Sequence, residues 1–177
     1  MHFIKREVKI GEILRKHPHP NLCAYKGVVL DRANRVVGIA YQRYEASLDH
    51  YLRFGKAFEK DLMLNSVTQA VKHMHALGLV HCDVHPANIF ITRGASDQPD
   101  QVVLGDFDAV HSFGERMSTK IGRVEYTPSG FSWGVPVDKS VDEYGLSILE
   151  QKIRGPKFPP ASAFRAYMNA NFFGKTS

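Results

Sequence analysis

The chain is short of several things, and each shortage removes a class of protein. It has 2 cysteines, Cys23 and Cys82, in 177 residues. That is too few for a disulfide framework and fits a reducing compartment. No apolar run reaches membrane-spanning length, because Gly, Arg or His breaks each cluster within a few residues. The opening Met1-His2-Phe3-Ile4-Lys5-Arg6-Glu7 carries no apolar segment of the kind a secretory signal needs. A cytoplasmic or nuclear location without a membrane partner is therefore expected. Internal repeats and low-complexity stretches are missing too, which argues against solenoids and biased tails.

Charge is lopsided but not extreme, at net +5 with 9 His besides. Lys5, Arg6, Lys9, Arg15 and Lys16 could form a nucleic-acid arm. Glu7 and Glu12 interrupt them, and Val8, Ile10, Ile13 and Leu14 recur beside them at helical spacing. The run reads as the solvated face of an amphipathic helix, and no nucleic-acid partner is expected. Hydrophobic content of 44% and charged content of 23% are those of a globular protein. The length suits one domain with a core, or a large piece of a bigger one.

The pattern along the chain alternates between helices and short strands. Residues 5–16 read as a helix stopped by His17-Pro18-His19-Pro20. Residues 21–30 and 35–43 read as the strands of a hairpin turning at Asp31-Arg32-Ala33-Asn34. Ser47 is a good N-cap for a short helix over 48–54. Met63, Val67, Ala70, Val71, Met74 and Leu77 mark a longer helix over 60–77. Residues 89–92 and 101–104 form a second hairpin across a polar turn. Residues 109–140 are rich in Gly, Ser and Thr and read as a mobile loop. Residues 141–153 read as a helix burying Val141, Tyr144, Leu146, Ile148 and Leu149. A last helix is possible over 161–172, after Pro156, Pro159 and Pro160.

One segment carries chemistry. His81-Cys82-Asp83-Val84-His85-Pro86-Ala87-Asn88 is followed, eighteen residues after that Asn, by Asp106-Phe107-Asp108. An Asp can orient a substrate hydroxyl. An Asn five residues on, with an Asp at the next strand end, can hold a metal ion that bridges phosphates. The second hairpin delivers Asn88 at one end and Asp106 at the other, so both reach one rim.

This pattern resembles the protein-kinase catalytic loop and metal-binding triplet, with HCD where HRD is usual and DFD where DFG is usual. His19-Pro20-Asn21-Leu22, the segment Ser47-Leu48-Asp49-His50-Tyr51-Leu52 and Asp142-Glu143-Tyr144-Gly145-Leu146 match further kinase elements. The likeness spans roughly residues 5–155 and is similar in style to small kinase-like proteins of fungal genomes. It implies an α+β protein kinase-like fold, incomplete in this chain. Residues 1–44 correspond to a partial N-lobe of a helix and two strands, and residues 45–177 to the mainly helical C-lobe. It implies ATP and Mg2+ as cofactors and a protein substrate or protein partner. Asp83 becomes the catalytic base, and His85 the residue near the γ-phosphate. Asn88 and Asp106 become the magnesium ligands. Arg43, Tyr44 and Glu45, within a hinge at 42–46, and Phe90 receive the nucleotide. Asp142 accepts hydrogen bonds from the loop near His81.

The departures matter as much. No GxGxxG strand pair and no Val-Ala-Ile-Lys strand occur, so the phosphate-covering loop and its lysine are not in this sequence. Losing one preorganised donor typically costs about 2.7–4 kcal/mol of transition-state stabilisation. Glu7, or alternatively Glu12, is the counterpart of the Glu that this lysine pairs with. Cys82 replaces an Arg, Asp108 replaces a Gly at a position needing backbone freedom, and Thr127-Pro128-Ser129 replaces Ala-Pro-Glu. Two other readings stand beside the kinase one. The first is a pseudokinase or regulatory binding module. The second is a small-molecule phosphotransferase of the aminoglycoside or choline type, whose loop Asp83-Val84-His85-Pro86-Ala87-Asn88 also approaches. Val28, Val36 and Ile39 are expected on an uncovered sheet edge, with poor solubility as the consequence.

Overall fold

Apolar residues three and four apart make α3, Lys60–Ala76, a helix with one dry face. Met63, Val67, Ala70 and Met74 on that face are fully buried. Each large side chain so buried contributes on the order of 2 kcal/mol. The computed structural model of the chain describes residues 2–96 and 99–155. The possible helix at 161–172 lies outside the described residues.

Before α3 come α1, His2–Lys16, the strands β1, Tyr25–Leu30, β2, Val36–Tyr41, and β3, Ala46–Ser47, and the short α2, Leu48–Arg53. After it come β4, Leu79–Val80, β5, Ile89–Thr92, β6, Gln101–Leu104, β7, His111–Ser112, and α4, Ser140–Arg154. Among the described residues the architecture is α+β: three helices of 15 to 17 residues, one short helix and three small sheets. β1 pairs with β2, β3 with β5 and β6, and β4 with β7, every pair antiparallel.

Three expectations are corrected. Residues 21–24 do not extend β1, because their backbone is used elsewhere. Cys23 N–H donates to Leu104 O at 2.8 Å, and Leu104 N–H donates to Asn21 O at 2.8 Å. The segment 21–23 thus joins β6 rather than the first hairpin.

Residues 109–140 are tied down over much of their length. β7 closes on β4. Gly114 N–H donates to Val137 O and Met117 N–H to Val135 O, at 2.8 and 2.9 Å. Beneath them Val80, Cys82, Ala109, Met117, Val137 and Val141 form a second small core. Apolar residues scattered too far apart for a periodic signal supply this packing.

In α4 the dry stripe is Val141, Gly145, Leu149 and Ile153, spaced by four, with Asp142 buried beside it. Tyr144, Leu146 and Ile148 are only half-buried. Gly145 allows the close approach: a Cβ there would meet Val84 O at 3.0 Å.

The main core joins Ile10, Leu14, Leu22, Leu48 and Tyr51 to α3, β5, β6 and Phe107. It fixes the far ends of β5 and β6, where the site lies. Tyr41 at the base of the first hairpin packs against it, and the rest of that hairpin extends outward. Val28, Val29, Leu30, Val36 and Val37 are all exposed, Val37 by 59%, while Ile39 is half-buried. No helix among the described residues is long and apolar enough to cross a membrane.

Candidate active site

The loop 81–88 is held by a helix that follows it by more than fifty residues. Asp142, in the first turn of α4, accepts His81 N–H on Oδ2 and Cys82 N–H on Oδ1, both at 2.8 Å. His75 from α3 approaches the same Oδ2 at 2.8 Å through Nε2. These bonds bend the loop at Cys82, whose φ of 65° is left-handed and strained for a residue with a side chain. Burial pushes the Cys82 thiol far up, and the neighbouring Asp142 charge adds to that. The thiol is therefore protonated and unsuited to act as a nucleophile. His81 is fully buried. Its Nδ1 lies 3.3 Å from Asp83 N–H and its Nε2 3.0 Å from Gly105 O. The Nε2–H tautomer satisfies both, so His81 braces the loop.

Asp83 is 5% exposed. His85 Nε2 stands 3.1 Å from its Oδ1, which also accepts Arg123 N–H at 3.1 Å. Burial, the largest single influence, raises the Asp83 carboxyl, and the His85 hydrogen bond lowers it. Together with the electrostatic pull of the His85 and His81 rings and of Lys120, that bond outweighs burial and holds the group well below the usual carboxylate range. His85 Nδ1 accepts Ala87 N–H at 3.2 Å. Both ring nitrogens of His85 are thus engaged inside the loop, and the residue is 4% exposed.

Asn88 donates from Nδ2 to Asp83 O at 3.0 Å and to Asp83 Oδ2 at 3.2 Å. That turns its carbonyl oxygen away from Asp83. Ile89 pairs with Leu104 across the β5–β6 hairpin, and Gly105 N–H donates to Asn88 O at 2.8 Å. The seventeen intervening residues are thereby folded out of the way, and Asp106 stands beside Asn88. Asp106 itself takes the left-handed conformation, with φ 61°. The turn expected at Asp108 is made two residues earlier, and Asp tolerates it better than most residues.

A carbonyl oxygen and a carboxylate are the hard donors that magnesium prefers, with phosphate oxygens and water completing its shell. Among the described residues, no cluster of three His, Cys, Asp or Glu side chains forms a metal cage of its own.

A lysine fills the space between the carboxylates. Lys120 Nζ lies 2.8 Å from Asp108 Oδ1, 3.2 Å from Asp106 Oδ2 and 3.3 Å from Asp83 Oδ2. Burial lowers the Lys120 ammonium, but the three carboxylates outweigh it and raise the group above its ordinary value. Burial, with the Asp106 charge adding to it, raises the Asp108 carboxyl despite Lys120. Gly122 lets this segment close: a Cβ there would meet Asp83 Oδ1 and Cys82 O at 2.7 Å. Nothing in the sequence marks Lys120, which stands between Arg116 and Arg123 as one basic residue among several.

Glu7 and Glu12 part company. Glu7 accepts the Tyr41 hydroxyl at 2.9 Å and feels the charges of Asp108, Asp106 and Lys120, so it faces the site. Burial raises its carboxyl. Glu12 pairs with Arg15 on the surface. Arg6 fastens α1 to the loop after the triplet. Its guanidinium grips Glu115 bidentately at 2.6 and 2.7 Å, and Nε donates to Val110 O at 2.9 Å.

Beside the pairing of β3 with β5, Tyr44 stacks near Phe90 with centroids 6.2 Å apart. Tyr44 Oη accepts Ala24 N–H at 3.2 Å. Glu45 N–H donates to Thr92 Oγ1 at 3.3 Å, and Glu45 Oε2 accepts Arg93 N–H at 3.2 Å. Glu45 is therefore bound to the end of β5. Arg43 is exposed.

Known proteins are similar to this chain in sequence and in fold. The chain is 30% identical to an Aurora kinase of Yarrowia lipolytica over 149 residues, 82% of this chain and 38% of that protein. It is 31% identical to the serine/threonine-protein kinase Aurora-2 of Arabidopsis thaliana over 152 residues, 84% of this chain and 50% of that protein. The chain thus spans half or less of these relatives. Its fold matches a chain in the crystal structure of the yeast RNA Pol II CTD kinase CTDK-1 complex. The TM-score is 0.69 at 17% identity, over 86% of this chain and 50% of that one. The family model of the protein kinase domain matches residues 2–161, and the chain belongs to that family.

Proposed function

We propose that the chain is the catalytic portion of a protein kinase, transferring the terminal phosphoryl group of ATP to Ser or Thr hydroxyls of a protein. The observation that carries this reading is the convergence of Asp83, Asn88 and Asp106 on one rim, braced from below by Asp142. Residues 1–44 act as part of the upper lobe and residues 45–177 as the lower lobe.

Each residue then has a task. Asp83 accepts a hydrogen bond from the substrate hydroxyl. It takes that proton as the phosphoryl group leaves the bridging oxygen of ADP for the hydroxyl oxygen. A carboxylate held below its usual range enters the reaction ionised and is a weak base, so it serves mainly to aim the hydroxyl. Asn88 and Asp106 hold magnesium, which when bound neutralises charge on the phosphates. His85 keeps Asp83 ionised and oriented. Phe90 and Tyr44 line the adenine side, with Arg43 and Glu45 on the neighbouring hinge.

Thermal unfolding with ATP and Mg2+ tests the reading. A ligand at a hundred-fold excess over its Kd stabilises by about 2.7 kcal/mol. For a chain of this size that raises the Tm by about 5–10 °C. The rise is expected with ATP and Mg2+ together and lost when Mg2+ is chelated. No shift at millimolar ATP leaves only a kinase-fold binding module.

A further inference from the structure

We propose that Lys120 is the residue that contacts the transferred phosphoryl group. The proposal rests on the phosphoryl-transfer reading above.

Position comes first. Lys120 Nζ is within 3.3 Å of both Asp83 and Asp106. In that reading Asp83 aims the hydroxyl and Asp106 holds the metal. The phosphoryl group travels between the two, and the amine stands on that path.

Charge points the same way. Asp83, Asp106 and Asp108 bring three carboxylates to a site that must receive a polyanion. Lys120 is the cation found among them. An ammonium has three donors, and it can exchange one carboxylate partner for a phosphate oxygen without being stripped of the others.

Reach decides between Lys120 and His85. His85 is buried, and its two ring nitrogens face Asp83 and Ala87. The Lys120 side chain is 42% exposed, so its head can meet a ligand. The delivery is also built in. Gly122 permits contact with Asp83 and Cys82 that a Cβ would block, and Arg123 N–H closes the segment onto Asp83 Oδ1. No bond forms or breaks at Nζ: the amine donates hydrogen bonds, and the hydroxyl proton goes to Asp83.

Equilibrium binding of ATP and ADP, each with Mg2+, tests the proposal in the full chain. Only ATP carries the terminal phosphoryl group. Lys120→Met should weaken ATP binding by about tenfold or more, the size of a lost charge-assisted hydrogen bond, and leave ADP binding nearly unchanged. Lys120→Arg should recover part of the preference. Lys139→Met, the same charge change against Phe113, should leave the ATP-to-ADP ratio as it is. An unaltered ratio in Lys120→Met, or tighter ATP binding because the amine blocks the site, overturns the proposal while the phosphoryl-transfer reading stands. Absence of ATP binding by the unmodified chain overturns both.

Discussion

Asp142 Oδ1 accepts the backbone N–H of Cys82 at 2.8 Å, and Cys82 is held at a φ of 65°. The carboxylate and the strained residue are one device. A left-handed conformation costs about 1–3 kcal/mol outside glycine, and it persists where the surroundings over-determine it. Here a fully buried carboxylate does so, and the result aims Asp83 at the rim.

Asp142→Ala should therefore cost about 3–5 kcal/mol, because two buried N–H groups and His75 lose their acceptor together. Asp142→Asn keeps one acceptor oxygen and should lose roughly half as much. Urea unfolding monitored by circular dichroism measures both. A loss below about 1 kcal/mol for the alanine variant, the net worth of one ordinary hydrogen bond, contradicts the bracing role.

The clamp between Arg6 and Glu115 gives a pH signature. The Arg6 hydrogen bonds, helped by the Ser112 amide, hold the Glu115 carboxyl at about 2, against an ordinary value of 4.5. A carboxyl depressed on folding stabilises above its unfolded value and loses that contribution as pH falls through its folded value. At 36% exposure of Glu115, solvent screening limits the pair to about 0.5–1 kcal/mol. Glu115→Gln should be less stable than the parent by that amount at pH 7. The gap should close as pH falls from 4.5 toward 2. Denaturant titrations at several pH values measure it, and a gap that does not narrow argues against the clamp.

The first hairpin predicts self-association. Val29, Leu30, Val36 and Val37 expose 43% to 59% of their surface on a sheet that has two strands, and both edges unpaired, among the described residues. Such edges invite pairing with another chain, and a lysine on them opposes it. Val37→Lys should shift the chain toward monomer in sedimentation velocity and raise its solubility. Sedimentation profiles unchanged by the substitution would show that association, if any, lies elsewhere.

Much of this was legible in the residues. β5 and β6 fall where 89–92 and 101–104 were read, because alternating β-branched residues flank a polar turn. Ser47 caps α2 as its hydroxyl suggests, accepting His50 N–H at 3.3 Å. Asp83, Asn88 and Asp106 meet because a hairpin of legible length separates them. What escaped depends on long-range pairing. Asn21 and Cys23 join β6 eighty residues away, which no local pattern encodes. The order in 109–140 comes from backbone bonds between 114–117 and 134–137, which have no composition signal. Lys120 was invisible for the same reason. Its meaning lies in three carboxylates that only the folded chain brings to it.

Transfer of labelled γ-phosphate from ATP to Ser- and Thr-containing proteins, by the parent chain and by Asp83→Asn, tests the central claim most directly. The account predicts Mg2+-dependent transfer by the parent. It predicts a fall of about a hundredfold or more in the variant, the usual worth of a positioned general base, with MgATP binding retained. Transfer by Asp83→Asn at the parent rate, or no transfer by a parent chain that binds MgATP, would contradict it.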